Sequence, residues 1–276
     1  MAAGMSSLSA ADKHRLSEIE KSCPVNCKFL RERVESLASY VAAIGGLISS
    51  ADAFWFRGHP ECFRSLTPAA LRPATVVGRE RALSLISDFQ RIAEAKLTRP
   101  PDPDDAFKWA QIAQHYGLPT RLLDWTESAT TALYFTCLIP NTDGIVFLMN
   151  PTELNSLSAL KEARILDPQT DHHLIERFLT PRATEGKKRS LPVAVNPIWG
   201  SERIIVQRGT FTLHGPTFSL DDAKVSSLVA VPILRESKPR LRQELRRVGV
   251  DEMTLFPELE HACRHLKMCR GLMEFD

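Results

Sequence analysis

The chain has 276 residues, with 35 Lys and Arg against 33 Asp and Glu and a formal charge of +2. Its 43% hydrophobic and 25% charged residues are a globular composition, which excludes disordered and fibrous classes. The longest apolar stretches, Tyr40–Ile48 and Ser227–Leu234, fall well short of the roughly 18 residues that a membrane span needs, so no membrane insertion is expected.

The N-terminus shows no basic segment followed by an apolar run, so no secretion signal is read and a cytoplasmic location is expected. Six thinly spread cysteines (Cys23, Cys27, Cys62, Cys137, Cys263, Cys269) suit free thiols rather than a disulfide framework. Arginine outnumbers lysine 24 to 11, and its planar fork suits phosphates and carboxylates, which points toward a phosphate-bearing ligand.

In chain order, residues 1–50 read as a helical attachment, with an N-cap near Ser9 and Leu30, Val34, Leu37, Val41 and Ile44 at helical spacing up to Gly45-Gly46. Residues 51–276 read as the main domain. Ala53-Phe-Trp-Phe-Arg-Gly-His-Pro predicts a strand ending near Arg57. Helices are predicted over 79–97 and 105–116, the second ending at a left-handed Gly117 ahead of Pro119. Asp124 or Thr126 is expected to cap a helix through Phe135, and a buried strand follows at 144–149. Residues 150–200 read as a long excursion with one short helix. Strands are expected at 202–206, 210–214 and 228–233, then helices over 238–248 and 258–267. The fold class is therefore α+β, a small and mostly antiparallel sheet surrounded by helices.

Three segments can carry chemistry. Phe56-Arg57-Gly58-His59 ends a strand with an arginine, and the glycine lets a ligand approach the backbone; a salt-bridged strand end is the plainer reading. The run from Gln114 to Thr126 gathers Gln114, His115, Tyr116, Arg121, Asp124, Trp125 and Thr126 around a helix end, a turn and the next helix start, where exposed amides favour anions. Asp124 capping a helix, Trp125 filling core and Arg121 pairing with an acid would also explain those residues singly. Gln207-Arg-Gly209-Thr-Phe reads as a broken strand with a polar residue at its bulge. The sequence carries no P-loop, GxGxxG, HExxH or GxSxG signature. His261-x-Cys263-x-His265 lacks the paired spacing of a zinc site, so no metal is expected. Basic runs such as Lys187-Lys-Arg189 and Arg242 to Arg247 read as solvated faces.

Phe56-Arg57-Gly58, then Gln114-His115-Tyr116-Gly117-x-Pro119-Thr120-Arg121-Leu122-Leu123-Asp124-Trp125-Thr126, then Gln207-x-Gly209-x-Phe211 together resemble the FRG domain family, from about Ala53 to Lys267. A more distant similarity is to mono-ADP-ribosyltransferases, whose first motif is a strand-borne aromatic-Arg-Gly. That resemblance implies an ADP-ribosyltransferase-like fold and an NAD-consuming toxin or phage-defence effector that modifies a protein or nucleic-acid acceptor, with an antitoxin or regulatory partner. It implies that Arg57, His115, Asp124 and Gln207 are catalytic. Arg57, Gly58, Gln114, Tyr116, Arg121, Trp125, Thr126 and Gly209 would hold NAD. The family's third motif usually supplies a glutamate, and Gln207 departs from it; Asp124 or Glu202 are the carboxylates able to compensate. A non-catalytic domain recognising a nucleotide, RNA end or phosphate is the alternative, and a hydrolase or nuclease using His115 and Asp124 is a third reading.

Overall fold

The computed structural model describes residues 8–24, 27–48, 53–62, 65–158, 163–179, 191–215, 219–270 and 272. The basic run at 187–189 lies outside them, as does the side chain of Cys269.

Helix α1 (Ala10–Ser22) starts where the Ser9 hydroxyl accepts from Asp12 N at 3.0 Å. Strand β1 (Lys28–Phe29) follows, then α2 (Leu37–Gly45), begun by a capping box between Ser36 and Ser39. Leu30 and Val34, expected within one long helix, precede it. Their stretch is drawn instead to the sheet, since Lys28 N and Leu30 N donate to the Leu228 and Ala230 carbonyls at 2.8 and 2.9 Å.

Next come β2 (Trp55–His59), α3 (Val76–Ala93), α4 (Ala106–His115), β3 (Leu122–Thr126), α5 (Ala129–Thr136) and β4 (Gly144–Met149). Gly117 adopts φ 87° as expected. The helix start expected at Asp124 is wrong. Residues 122–126 form a strand because Leu123 and Trp125 bury on one face, Leu122 on the other, and β6 pairs along the whole segment. The cap passes to Ser128, whose hydroxyl accepts from Thr131 N at 3.2 Å.

The excursion expected over 150–200 holds more structure: α6 (Pro151–Leu157), α7 (His172–Leu179) and β5 (Val193–Val195). Fully buried Asn155 ties it together, donating to the Arg164 and Ala194 carbonyls at 2.7 and 2.9 Å and accepting from Ala194 N at 2.6 Å. The strand expected at 202–206 is helix α8 (Glu202–Val206): the Ser201 hydroxyl accepts from Ile204 N, and this cap outweighs the β-branched Ile-Ile-Val run. Then follow β6 (Gly209–Leu213), β7 (Val229–Ile233), α9 (Lys238–Arg247), α10 (Glu252–Leu255) and α11 (Leu259–Cys269).

The sheet is larger than expected, seven strands in the order β1-β7-β4-β2-β3-β6-β5, antiparallel except between β1 and β7. One face carries Trp55, Leu123, Trp125, Ile145 and Phe147, packed with Leu16 and Ile19 of α1. On the other, α5 and α9 cover Phe56, Val146 and Val231, while α4 and α7 cover Leu122, Phe211 and Leu213. The strands thus alternate with period two between the two cores. Among the described residues no helix is long and apolar enough to cross a membrane.

The centre of the sheet is split. β2 pairs with β4 from Trp55↔Met149 to His59↔Ile145, and β3 with β6 from Leu122↔Leu213 to Thr126↔Gly209. Between themselves β2 and β3 share the single pair Phe56↔Thr126. Two well-paired halves therefore meet at one point, and the site lies where they part.

Candidate functional site

Arg57 bridges the split. Its Nη1 donates to the Asp124 main-chain carbonyl at 2.5 Å, in the stretch where β2 and β3 have no register pair, and lies 3.9 Å from Asp124 Oδ2. Its Nε donates to Nε2 of buried His59 at 2.8 Å, so His59 is neutral there with its ring proton on Nδ1. The guanidinium is thereby fixed in two directions with its side chain 16% exposed, whereas that of Asp124 is 64% exposed.

The turn after α4 aims the carboxylate. Buried Thr120 accepts from Leu122 N at 3.1 Å and donates its hydroxyl proton to Gln114 Oε1. With its oxygen held, Gln114 presents Nε2 to Asp124 Oδ1 at 2.5 Å. A chain of hydrogen bonds from a buried hydroxyl therefore orients an exposed carboxylate.

The third wall comes from α8 and β6. Their turn passes through Arg208 at φ 48°, a left-handed conformation uncommon outside glycine. The Gln207 carbonyl accepts from Thr126 Oγ1 at 2.6 Å, and its Nε2 donates to the Leu255 carbonyl at 2.9 Å. Arg203 lies over the Phe256 ring, 4.8 Å from its centroid. Burial lowers the pKa of His115, and the Arg203 cation lowers it further against an opposing pull from Glu258. His115 is therefore neutral at pH 7. A depressed histidine pKa contributes stability above its unfolded value of 6.5, lost as the pH falls. His115→Gln is thus expected to reduce the fall in Tm between about pH 7 and pH 5, read by thermal melts; an unchanged fall would place the titration elsewhere.

These elements enclose a cleft of about 290 Å³, small for a ligand pocket and sized for one moiety of a larger ligand. Of the residues singled out from sequence, Arg57, Gly58, Gln114, His115, Asp124, Trp125, Thr126 and Gln207 line it. Tyr116, Arg121 and Gly209 do not. Tyr116 is exposed, edge-on to His115 at 5.2 Å and tilted 6.1 Å from Phe89. Arg121 is buried, its Nη2 donating to the Leu179 carbonyl at 2.5 Å, and burial pushes its pKa down to about 10. Gly209 pairs with Thr126 at the start of β6.

Two roles differ from expectation. Gly58 leaves room for α5 rather than for a ligand, since a Cβ there would stand 2.0 Å from the Ala132 carbonyl oxygen. Trp125 buries its indole and donates Nε1 to Thr212 Oγ1 at 3.1 Å. Gln111, Phe135 and Arg203 also line the cleft and were not singled out. A helix reading of 202–206, from the Ser201 cap, would have turned attention to Arg203. Asp124 is the one carboxylate among the lining residues, and exposed Glu202 is not among them. Burial pushes the Cys62 thiol up to about 11, so it is no thiolate nucleophile at neutral pH.

No curated protein and no solved structure matches the chain. The third motif, at Gln207 and Gly209, lies outside residues 52–144, the stretch that a family model matches. Residues 52–144, which carry β2 through α5 and with them Arg57, Gln114 and Asp124, match the FRG domain.

Proposed function

We propose that the cleft binds NAD and that the protein is an ADP-ribosyltransferase-like enzyme, a toxin or defence effector acting on a protein or nucleic-acid target. The observation that carries this reading is the placement of Asp124: an exposed carboxylate, aimed by Gln114, beside the fixed Arg57 guanidinium in the sheet split. NAD joins a nicotinamide ribosyl group to a pyrophosphate: the guanidinium offers its charge to the pyrophosphate, and the carboxylate faces the ribose, on which positive charge develops only as the bond to nicotinamide breaks. In transfer, the bond between nicotinamide N1 and ribose C1′ breaks and its electron pair leaves with neutral nicotinamide. Asp124 offsets the positive charge that develops on the ribose. An acceptor oxygen or nitrogen then bonds C1′ and gives its proton to neutral His115. Gln207 cannot serve as the carboxylate, and its amide is tied to Leu255, so that role falls to Asp124.

Calorimetric titration with NAD tests the binding step. The wild-type chain is expected to bind below about 1 mM, the upper end of ordinary substrate affinities. Arg57→Lys keeps the charge but not the fork and is expected to weaken binding about tenfold. Absence of binding by the wild-type chain would contradict the reading. Binding of NAD without nicotinamide release would favour a non-catalytic nucleotide-recognition domain, a role that the missing third-motif carboxylate also suits.

A further inference from the structure

A second cavity, of about 740 Å³, lies between α9 and the α10–α11 segment, lined among others by Tyr134, Arg242, Gln243, Arg246, Asp251 and His265. We propose that this groove binds single-stranded RNA through its phosphodiester backbone. The inference goes beyond the NAD reading and stands without it.

The charge of α9 supports it. Lys238–Arg247 holds five basic residues against one acid, Glu244. Lys238 is fully buried and donates to the Pro60 and Ile139 carbonyls at 2.8 Å, so it belongs to the core. Arg240 is paired with Glu244 at 2.8 Å. The side chains of Arg242 and Arg246, by contrast, form no hydrogen bond or ion pair among the described residues. Their i, i+4 spacing puts their Cβ atoms about 5–6 Å apart on one helix face, so both can grip one short run of backbone. Two guanidinium forks side by side on a groove wall suit phosphates, which each can take bidentately.

The acids of the opposite wall select the sugar. Glu252 is engaged by His261 at 2.8 Å and by Arg264 at 3.0 Å, and Asp251 Oδ1 accepts from Thr254 N at 3.0 Å. Each carboxylate retains lone pairs that repel phosphate but accept from a hydroxyl. The ribose 2′-OH supplies that donor and deoxyribose does not, which favours RNA over DNA. The groove adjoins the cleft. Tyr134 lines one and its neighbour Phe135 the other, with the Phe256 ring 6.5 and 5.9 Å from them.

Fluorescence anisotropy with a labelled oligouridylate, titrated with the full chain at several salt concentrations, tests the proposal. Wild type is expected to bind with salt-dependent affinity. Arg242→Ala/Arg246→Ala is expected to lose about 1.4 from the slope of log K against log salt, at about 0.7 per phosphate on a single strand, and about tenfold in affinity at low salt. Gln243→Glu, at an exposed position, is expected to weaken binding with the same Tm and so separates the effect from misfolding. Asp124→Asn is expected to bind RNA as wild type does, so failure of the NAD reading leaves this result standing. Unchanged binding by the double variant, equally tight binding of the deoxy oligonucleotide, or displacement of RNA by a phosphopeptide at equal concentration would each overturn the proposal.

Discussion

Gly58→Ala is expected to destabilise the fold by about 3 kcal/mol, the upper range for overpacking a core. The added methyl would stand 2.0 Å from the Ala132 carbonyl oxygen and 2.9 Å from Thr136 N, both of them backbone atoms. Helix α5 has little freedom to retreat. Tyr40 holds its first turn through the Ala129 carbonyl at 2.8 Å, and Leu133 packs into the core below it. A loss of that size lowers Tm by about 6–12 °C in a chain of this length, at about 2–4 °C per kcal/mol. An unchanged melt would mean that α5 stands off the sheet. The result also separates two roles within one tripeptide: Arg57 belongs to the cleft, and Gly58 to the packing that closes the far side of β2.

Asp124→Asn carries the largest expected effect on activity. The substitution keeps the shape of an exposed side chain and leaves an amide oxygen for the Gln114 amide to donate to, so Tm and NAD affinity are expected to change little. Under the proposed function, removing the negative charge takes away what offsets the ribosyl cation. Nicotinamide release is therefore expected to fall about 10²–10³-fold in kcat with KM nearly unchanged, the scale of one preorganised electrostatic contact. A fall in KM-dependent binding alone would make Asp124 a binding residue, and an unchanged rate would remove it from the chemistry.

Much of this arrangement was legible in the sequence wherever one physical signal dominated. Glycine 117 after an amphipathic run marked the end of α4, and the apolar stretches at 144–149 and 228–233 marked β4 and β7. Three separated polar segments were expected to meet, and Arg57, Asp124 and Gln207 do line one cleft. Local signals misled where one residue type serves two purposes. Asp124 and Thr126 are good helix caps by residue type, and only the partner strand β6, more than eighty residues on, draws them into a strand instead. Ile204-Ile-Val206 favours a strand by propensity, yet the Ser201 cap makes it helical and brings Arg203 to the cleft. Strand β1 has two residues and a partner about two hundred residues away, which local periodicity cannot reveal. Arg121, expected among the residues that hold NAD, sits just before β3 and is instead buried, with its guanidinium donating to the carbonyl that ends α7.

The proposed function requires that a fixed arginine and an aimed carboxylate, in the split between β2 and β3, act together on NAD. Chromatographic measurement of nicotinamide released from NAD by the purified full chain, beside Asp124→Asn under the same conditions, tests it most directly. Steady release is expected from the wild-type chain, and release slower by about two orders of magnitude or more from the variant. Binding of NAD with no release by either protein, or equal release by both, would contradict it.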